Sequence, residues 1–138
     1  MPIILRVVLA GLGAGVVGIC ASWLLTGVVF HPFQARTPGT WRADEGAAQY
    51  AAASALTLFA ALAVSTLVAL TGGAHLFAGR AIDGAMLGAL CWGAIALPVL
   101  LSVALFVNVH RGVITGLLTE WLITSAVAGA ASGWMLGR

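Results

Sequence analysis

Glu120 is the side chain whose chemistry fits its surroundings least. Charged residues stand at Arg6, Arg36, Arg42, Asp44, Glu45, Arg80, Asp83, Arg111, Glu120 and Arg138, and all but Glu120 fall beside or between long apolar runs. Glu120 interrupts one. Counted from Gly112 it lies about 12 Å along a helix, past the headgroups of a bilayer but short of its midplane. A charge at a helix centre costs about 2.5 to 3.5 kcal/mol on insertion scales, and one off centre costs less. Two readings follow and both stay open. Glu120 is a protonatable or cation-binding group facing an aqueous cavity, or it is a carboxylate that snorkels or pairs with Arg111, Arg36 or Arg42.

The residues that could share its environment follow from helical geometry. Gly116, Trp121 and Thr124 are its neighbours, and Asn108, His110 and His31 reach the same end from other helices. The functional polar candidates are therefore Glu120, Asn108, His110, His31, Arg111 and Thr124. Glu120, Thr124, Ala128 and Ser132 form the most polar line in any apolar run, and such a line turns inward to border a path or join helices.

Other chemistry finds little footing. There is no nucleophile with an evident base, no HExxH, no CxxC and no phosphate loop, so no catalytic residue is assigned. His31, His75 and His110 fall at helix ends rather than in facing pairs, and no metal or cofactor is expected. Gly13, Gly15 and Gly18 match G-x-G-x-x-G, but that fingerprint works only between a strand and a helix, and here it lies inside an apolar run. Cys20 and Cys91 read as small packing residues. A formal net charge of +2 gives no reason to expect a nucleic-acid partner.

Few elements can hold a carboxyl group in such a chain. Of its 138 residues 62% are hydrophobic and 7% charged, against roughly 25% charged in soluble domains. With a mean hydropathy of +1.10, the expected solvent is lipid. Each apolar run exceeds the approximately 20 residues that cross a 30 Å hydrocarbon core. Continuous apolarity, without alternation, selects helices over barrel strands. The expected fold is an all-α integral membrane four-helix bundle, one transmembrane domain over 1–138, with spans near 3–30, 46–70, 82–109 and 113–136. His31-Pro32 should stop the first helix. Asp44 and Glu45 suit the start of the second, Gly72-Gly73 its end, and Asp83 the start of the third.

Four crossings put both termini on one side of the membrane. Arginines divide evenly between the two faces, and Arg6 ahead of the first span favours cytoplasmic termini in a bacterial inner membrane. The first run continues to Phe30, which is span length and longer than a signal-peptide core. Ile19 stands where a lipoprotein site at Cys20 would need a small residue.

Glycines at four-residue spacing permit close helix contact. Such stripes are Gly11 and Gly15, Gly84 and Gly88, and Ser125, Gly129 and Gly133, with Ala47, Ala51 and Ala55 beginning a fourth. They serve a bundle internally and also hint at a homodimer. Phe30, Phe33, Trp41, Tyr50 and Phe106 are expected as an aromatic belt at one interface, and Phe77 and Trp134 at the other. Trp23, Trp92 and Trp121 lie deeper, where an indole N–H needs an acceptor. Pro98 should act as a hinge, freeing the carbonyl of Ala94.

The chain resembles a family of small bacterial four-span membrane proteins catalogued as domain of unknown function 1761. The likeness rests on the glycine-rich first span ending in Trp23, on Gly88 to Trp92, and on Glu120-Trp121 followed by Gly129, Gly133 and Trp134. That family usually carries Asp where Glu120 stands, and a Trp-Tyr-Gly-type motif in place of Trp23-Leu24-Leu25. The resemblance implies the four-span topology and an acid at this position, but no activity.

Three functions remain. The first is a homo-oligomeric transport or permeation protein with a polar path around Glu120. The second is an accessory or scaffold subunit of a larger membrane complex, and the third an enzyme acting on a lipid or quinone.

Overall fold

The computed structural model of the chain describes residues 1–40, 46–71 and 80–136. Trp41, Arg42, Asp44, Glu45, Gly72, Gly73, His75, Phe77 and Arg138 lie outside the described residues. Four helices are long and apolar enough to cross a bilayer: Ile3–Val29, Ala47–Leu70, Arg80–Phe106 and Arg111–Leu136. Among the described residues there is no strand. The start of the first helix meets the end of the fourth, where Arg6 Nη1 donates to the carbonyl of Met135 at 3.3 Å.

The interior is built from small residues and the exterior from large apolar ones, the reverse of a water-soluble core. Ala14, Ala61 and Ala128 of the first, second and fourth helices form the central cluster. One turn towards the chain ends, Ala10, Ser65 and Ser132 are also buried. One turn the other way, a Cβ at Gly18 would lie 2.6 Å from Thr124 Oγ1 and 2.9 Å from Thr57 Cγ2. The four-residue rhythm thus stacks three layers of side chains no larger than threonine. Large residues face outward, Leu70, Leu105 and Phe106 among them, with Phe106 87% exposed.

The glycine stripes seat neighbouring backbones. Gly84 and Gly88 of the third helix lie against the carbonyls of Gly129 and Ser125, and Gly133 against that of Arg80. On the first helix, a Cβ at Gly11 would be 2.9 Å from the Cα of Leu62, and one at Gly15 would be 3.1 Å from that of Leu58. The stripe at Ala47, Ala51 and Ala55 differs: these residues are exposed and seat no neighbouring backbone among the described residues. Cys20 likewise faces outward instead of packing inside, while Cys91 is half-buried; both are free thiols.

Two helices leave α geometry partway. The first becomes a π-helix over Trp23–Val29, with the Phe30 N–H donating five residues back to Leu25 at 2.7 Å. Pro32 then opens a separate one-turn helix, His31–Gln34, because proline suits a first turn and has no N–H to extend an existing one. The third helix is π over Trp92–Ala96 and returns to α geometry over Leu97–Phe106, with Pro98 in its first turn. The expected disruption at Pro98 is thus taken up as a widened turn just before it. π turns inside α-helices are frequent at functional sites.

The ends of the third and fourth helices differ from expectation by a few residues. The third stops at Phe106, since Val107 is extended and Thr40 Oγ1 donates to the Asn108 carbonyl at 2.9 Å. The fourth starts at Arg111 because His110 Nδ1 accepts the N–H of Gly112 at 3.0 Å, filling one of the unpaired donors at a helix start. At the second helix, Gln49 Oε1 accepts the N–H of Gly46 at 3.0 Å, the side-chain half of a capping box. Asp83 stands in the first turn of the third helix, as its charge favours. It is also 4% exposed and holds a partner, a burial that its place beside an apolar run did not foretell.

Candidate functional site

Glu120 lies on the fourth helix at the level where both π segments approach it. It is 5% exposed. Its Oε2 accepts a hydrogen bond from Thr26 Oγ1 at 2.8 Å. Among the described residues no arginine pairs with it: Arg36 lies over the ring of Phe33 at 5.0 Å, and Arg111 is exposed nine residues earlier in the helix. A buried carboxylate without a counter-charge is costly, whereas a proton or bound cation would neutralise it.

Local geometry explains why the carboxyl group meets Thr26. Helical side chains lean towards the N-terminus of their own helix, so Glu120 extends over the turn that contains Gly116. Glycine there leaves room. Phe30 fills the rest of it, since a Cβ at Gly116 would lie 2.7 Å from Phe30 Cδ2. One turn further, a Cβ at Gly112 would be 2.7 Å from Phe33 Cγ. Phe33 stacks on His110 with centroids 4.8 Å apart, and its own centroid is 6.1 Å from that of Phe30. Phe30 and Phe33 therefore cover the fourth helix and do not extend outward as a belt; the one-turn helix after Phe30 folds them back. Tyr50, Phe106 and Trp134 do face outward.

On the other side of Glu120 the hydroxyls are occupied by backbone. Thr124 Oγ1 donates to the Glu120 carbonyl at 3.0 Å, Thr57 Oγ1 to that of Ala53 at 3.1 Å and Ser132 Oγ to that of Ala128 at 2.8 Å. Ser65 Oγ is buried without a hydrogen-bond partner among the described residues. Beside the site, Trp92 Nε1 donates to the Leu118 carbonyl at 3.0 Å, which holds the second π segment to the fourth helix. Trp23, by contrast, is 70% exposed and lines no interior wall.

Of the polar candidates, the structure brings Thr124 to Glu120, one turn away. Asn108, His110, His31 and Arg111 stand apart from its carboxyl group. His31 is exposed, with Nδ1 3.0 Å from Gln34 Oε1, and His110 serves Phe33 and the helix start. Thr26 was missed. Its signal was available as a hydroxyl inside Trp23–Val29, four residues before Phe30, but nothing in one sequence pairs the first run with the fourth. Among the described residues, no group of three or more His, Cys, Asp or Glu is placed to hold a metal.

No family model, curated protein or solved structure matches this chain.

Proposed function

We propose that the chain is a multi-pass protein of a bacterial inner membrane that transports a proton, a cation or a small cationic solute, with Glu120 as the group that takes up and releases the charge. One observation carries this reading: inside a bundle of lipid-length helices a buried carboxyl group accepts a hydrogen bond from a threonine hydroxyl and, among the described residues, pairs with no arginine. Ionisable residues inside a membrane bundle are costly and rare, and those that face its interior mark ion and proton pathways. The two π segments beside it are of a kind frequent at functional sites. The acid that the family resemblance implies at this position agrees with the assignment.

Both termini are assigned to the cytoplasmic side, with the His31–Thr40 connection on the other. Gly18, Thr57, Thr124 and the alanine cluster fill the seam beyond Glu120, so passage needs helix movement or a second copy of the chain. A homodimer supplies the latter. The test is reconstitution into liposomes under imposed pH, sodium and potassium gradients. Wild-type protein should dissipate at least one of them and Glu120→Gln should not; flux equal to empty liposomes under all three would overturn the reading.

A second reading, an accessory subunit of a larger membrane complex, is favoured by residues 101–108, which are all exposed. A partner against that stretch should survive mild detergent extraction and be lost with Leu105→Arg.

A further inference from the structure

We infer that Phe30 and Phe33 form a two-ring cover that sets access to Glu120, so that the carboxyl group is reached from the end of the bundle holding the His31–Thr40 connection. The inference deepens the transport reading by giving the site one entrance and naming what closes it.

The argument is one of asymmetry along the fourth helix. Towards Arg111, three successive turns are covered by side chains of the first helix and the segment after it: Thr26 at Glu120, Phe30 at Gly116 and Phe33 at Gly112. Phe30 follows Thr26 by four residues, so the residue that holds the carboxyl group and the ring that covers it share one face. Both glycines leave the room in which the rings lie. A Cβ at 112 would lie 2.7 Å from Phe33 Cγ and one at 116 would lie 2.7 Å from Phe30 Cδ2, so either would press on a ring whose χ1 rotation is the way to relieve it. Towards Leu136, Glu120 is followed by contacts that cannot rotate. Gly18 is pressed on Thr57 and Thr124, and the next layer is Ala14, Ala61 and Ala128. Opening that side requires whole helices to part, because alanine has no rotamer to change. Opening the first side needs only turns of two rings. Phe33 is steadied there by its stack on His110 and by Arg36 over its ring, both from the exposed end of the bundle.

Access and transport can be measured separately. Purified protein in detergent is treated with a water-soluble carbodiimide, which modifies accessible carboxyl groups, and the rate at Glu120 is read by peptide mass spectrometry. Phe30→Ala should raise that rate by about tenfold or more, as expected when a local opening step limits reaction. Gly116→Ala, which pushes the ring aside without deleting it, should raise it in the same direction. Ala61→Gly, on the sealed side, should leave it within about twofold. Helix content by circular dichroism and a monodisperse elution profile check that each variant is folded. If one ring variant fails that check, the other decides. Wild-type rates in the folded ring variants, or an equal rise in Ala61→Gly, would overturn the cover. Liposome flux does not enter this test, so the cover can fail while transport stands, and the reverse.

Discussion

From Ser125 to Gly133 the fourth helix touches the backbone of the third directly, whereas between Gly112 and Glu120 it meets two phenylalanine rings, a threonine hydroxyl and an indole. The difference is one of stiffness. Gly84 and Gly88 set against the carbonyls of Gly129 and Ser125 leave nothing to rotate. Rings and hydroxyls over Gly112, Gly116 and Glu120 can change rotamer without moving a helix axis. A buried carboxyl group placed at the boundary has a rigid floor and an adjustable roof, an arrangement that permits a group to be exposed and covered again.

The contrast can be broken most directly in the rigid half. Gly88→Val would drive a side chain into the carbonyl of Ser125, and should destabilise the bundle by about 3 kcal/mol or more, read from unfolding in mixed detergent. A fully folded Gly88→Val protein would mean that the half is not rigid. Next in size, Glu120→Gln should abolish liposome flux while shifting stability by less than about 1 kcal/mol, since an amide oxygen can still accept from Thr26. Large unfolding instead would recast Glu120 as structural glue. Thr26→Val removes the hydroxyl but not the shape, and a loss of about 0.6 kcal/mol is expected, with about 1.7 as the upper bound for a hydrogen bond between such helices. Trp92→Phe, which deletes the indole donor to Leu118, should cost a similar amount. The smallest effect belongs to Gly13→Ala and Gly93→Ala. A Cβ at either site meets nothing within 4 Å, so the change should stay within about 0.5 kcal/mol or stabilise slightly through helix propensity. A large loss at Gly13 would reveal a contact outside this chain.

The four helices were legible because apolar length is a property of each segment alone. Glycine spacing was legible for the same reason, and Gly84, Gly88, Gly129 and Gly133 do bring backbones together. Which stripes would be used was not: Ala47, Ala51 and Ala55 have an equally suitable spacing and remain exposed. Glu120 stood out because its cost in lipid depends on its own type and depth. Thr26 could not, since a hydroxyl can satisfy itself on its own helix and becomes a partner only when two distant helices meet. Phe30 and Phe33 were read by their aromatic character as interface residues. The turn after Phe30 redirects them inward, a geometric fact that composition does not carry.

The hydrogen bond between Thr26 and Glu120 joins residues 94 apart, from the first long helix to the last. In a bilayer this has a consequence for assembly. Helices entering in chain order would place the hydroxyl in the membrane well before the acid arrives, and the glycines of the third helix would already be waiting for those of the fourth. Glu120 would then enter a slot already made from earlier helices, and its desolvation would be shared with them from the outset. Moving the fourth helix to the front of the gene should reverse that order, leaving the acid to face lipid unaided until its partner is made.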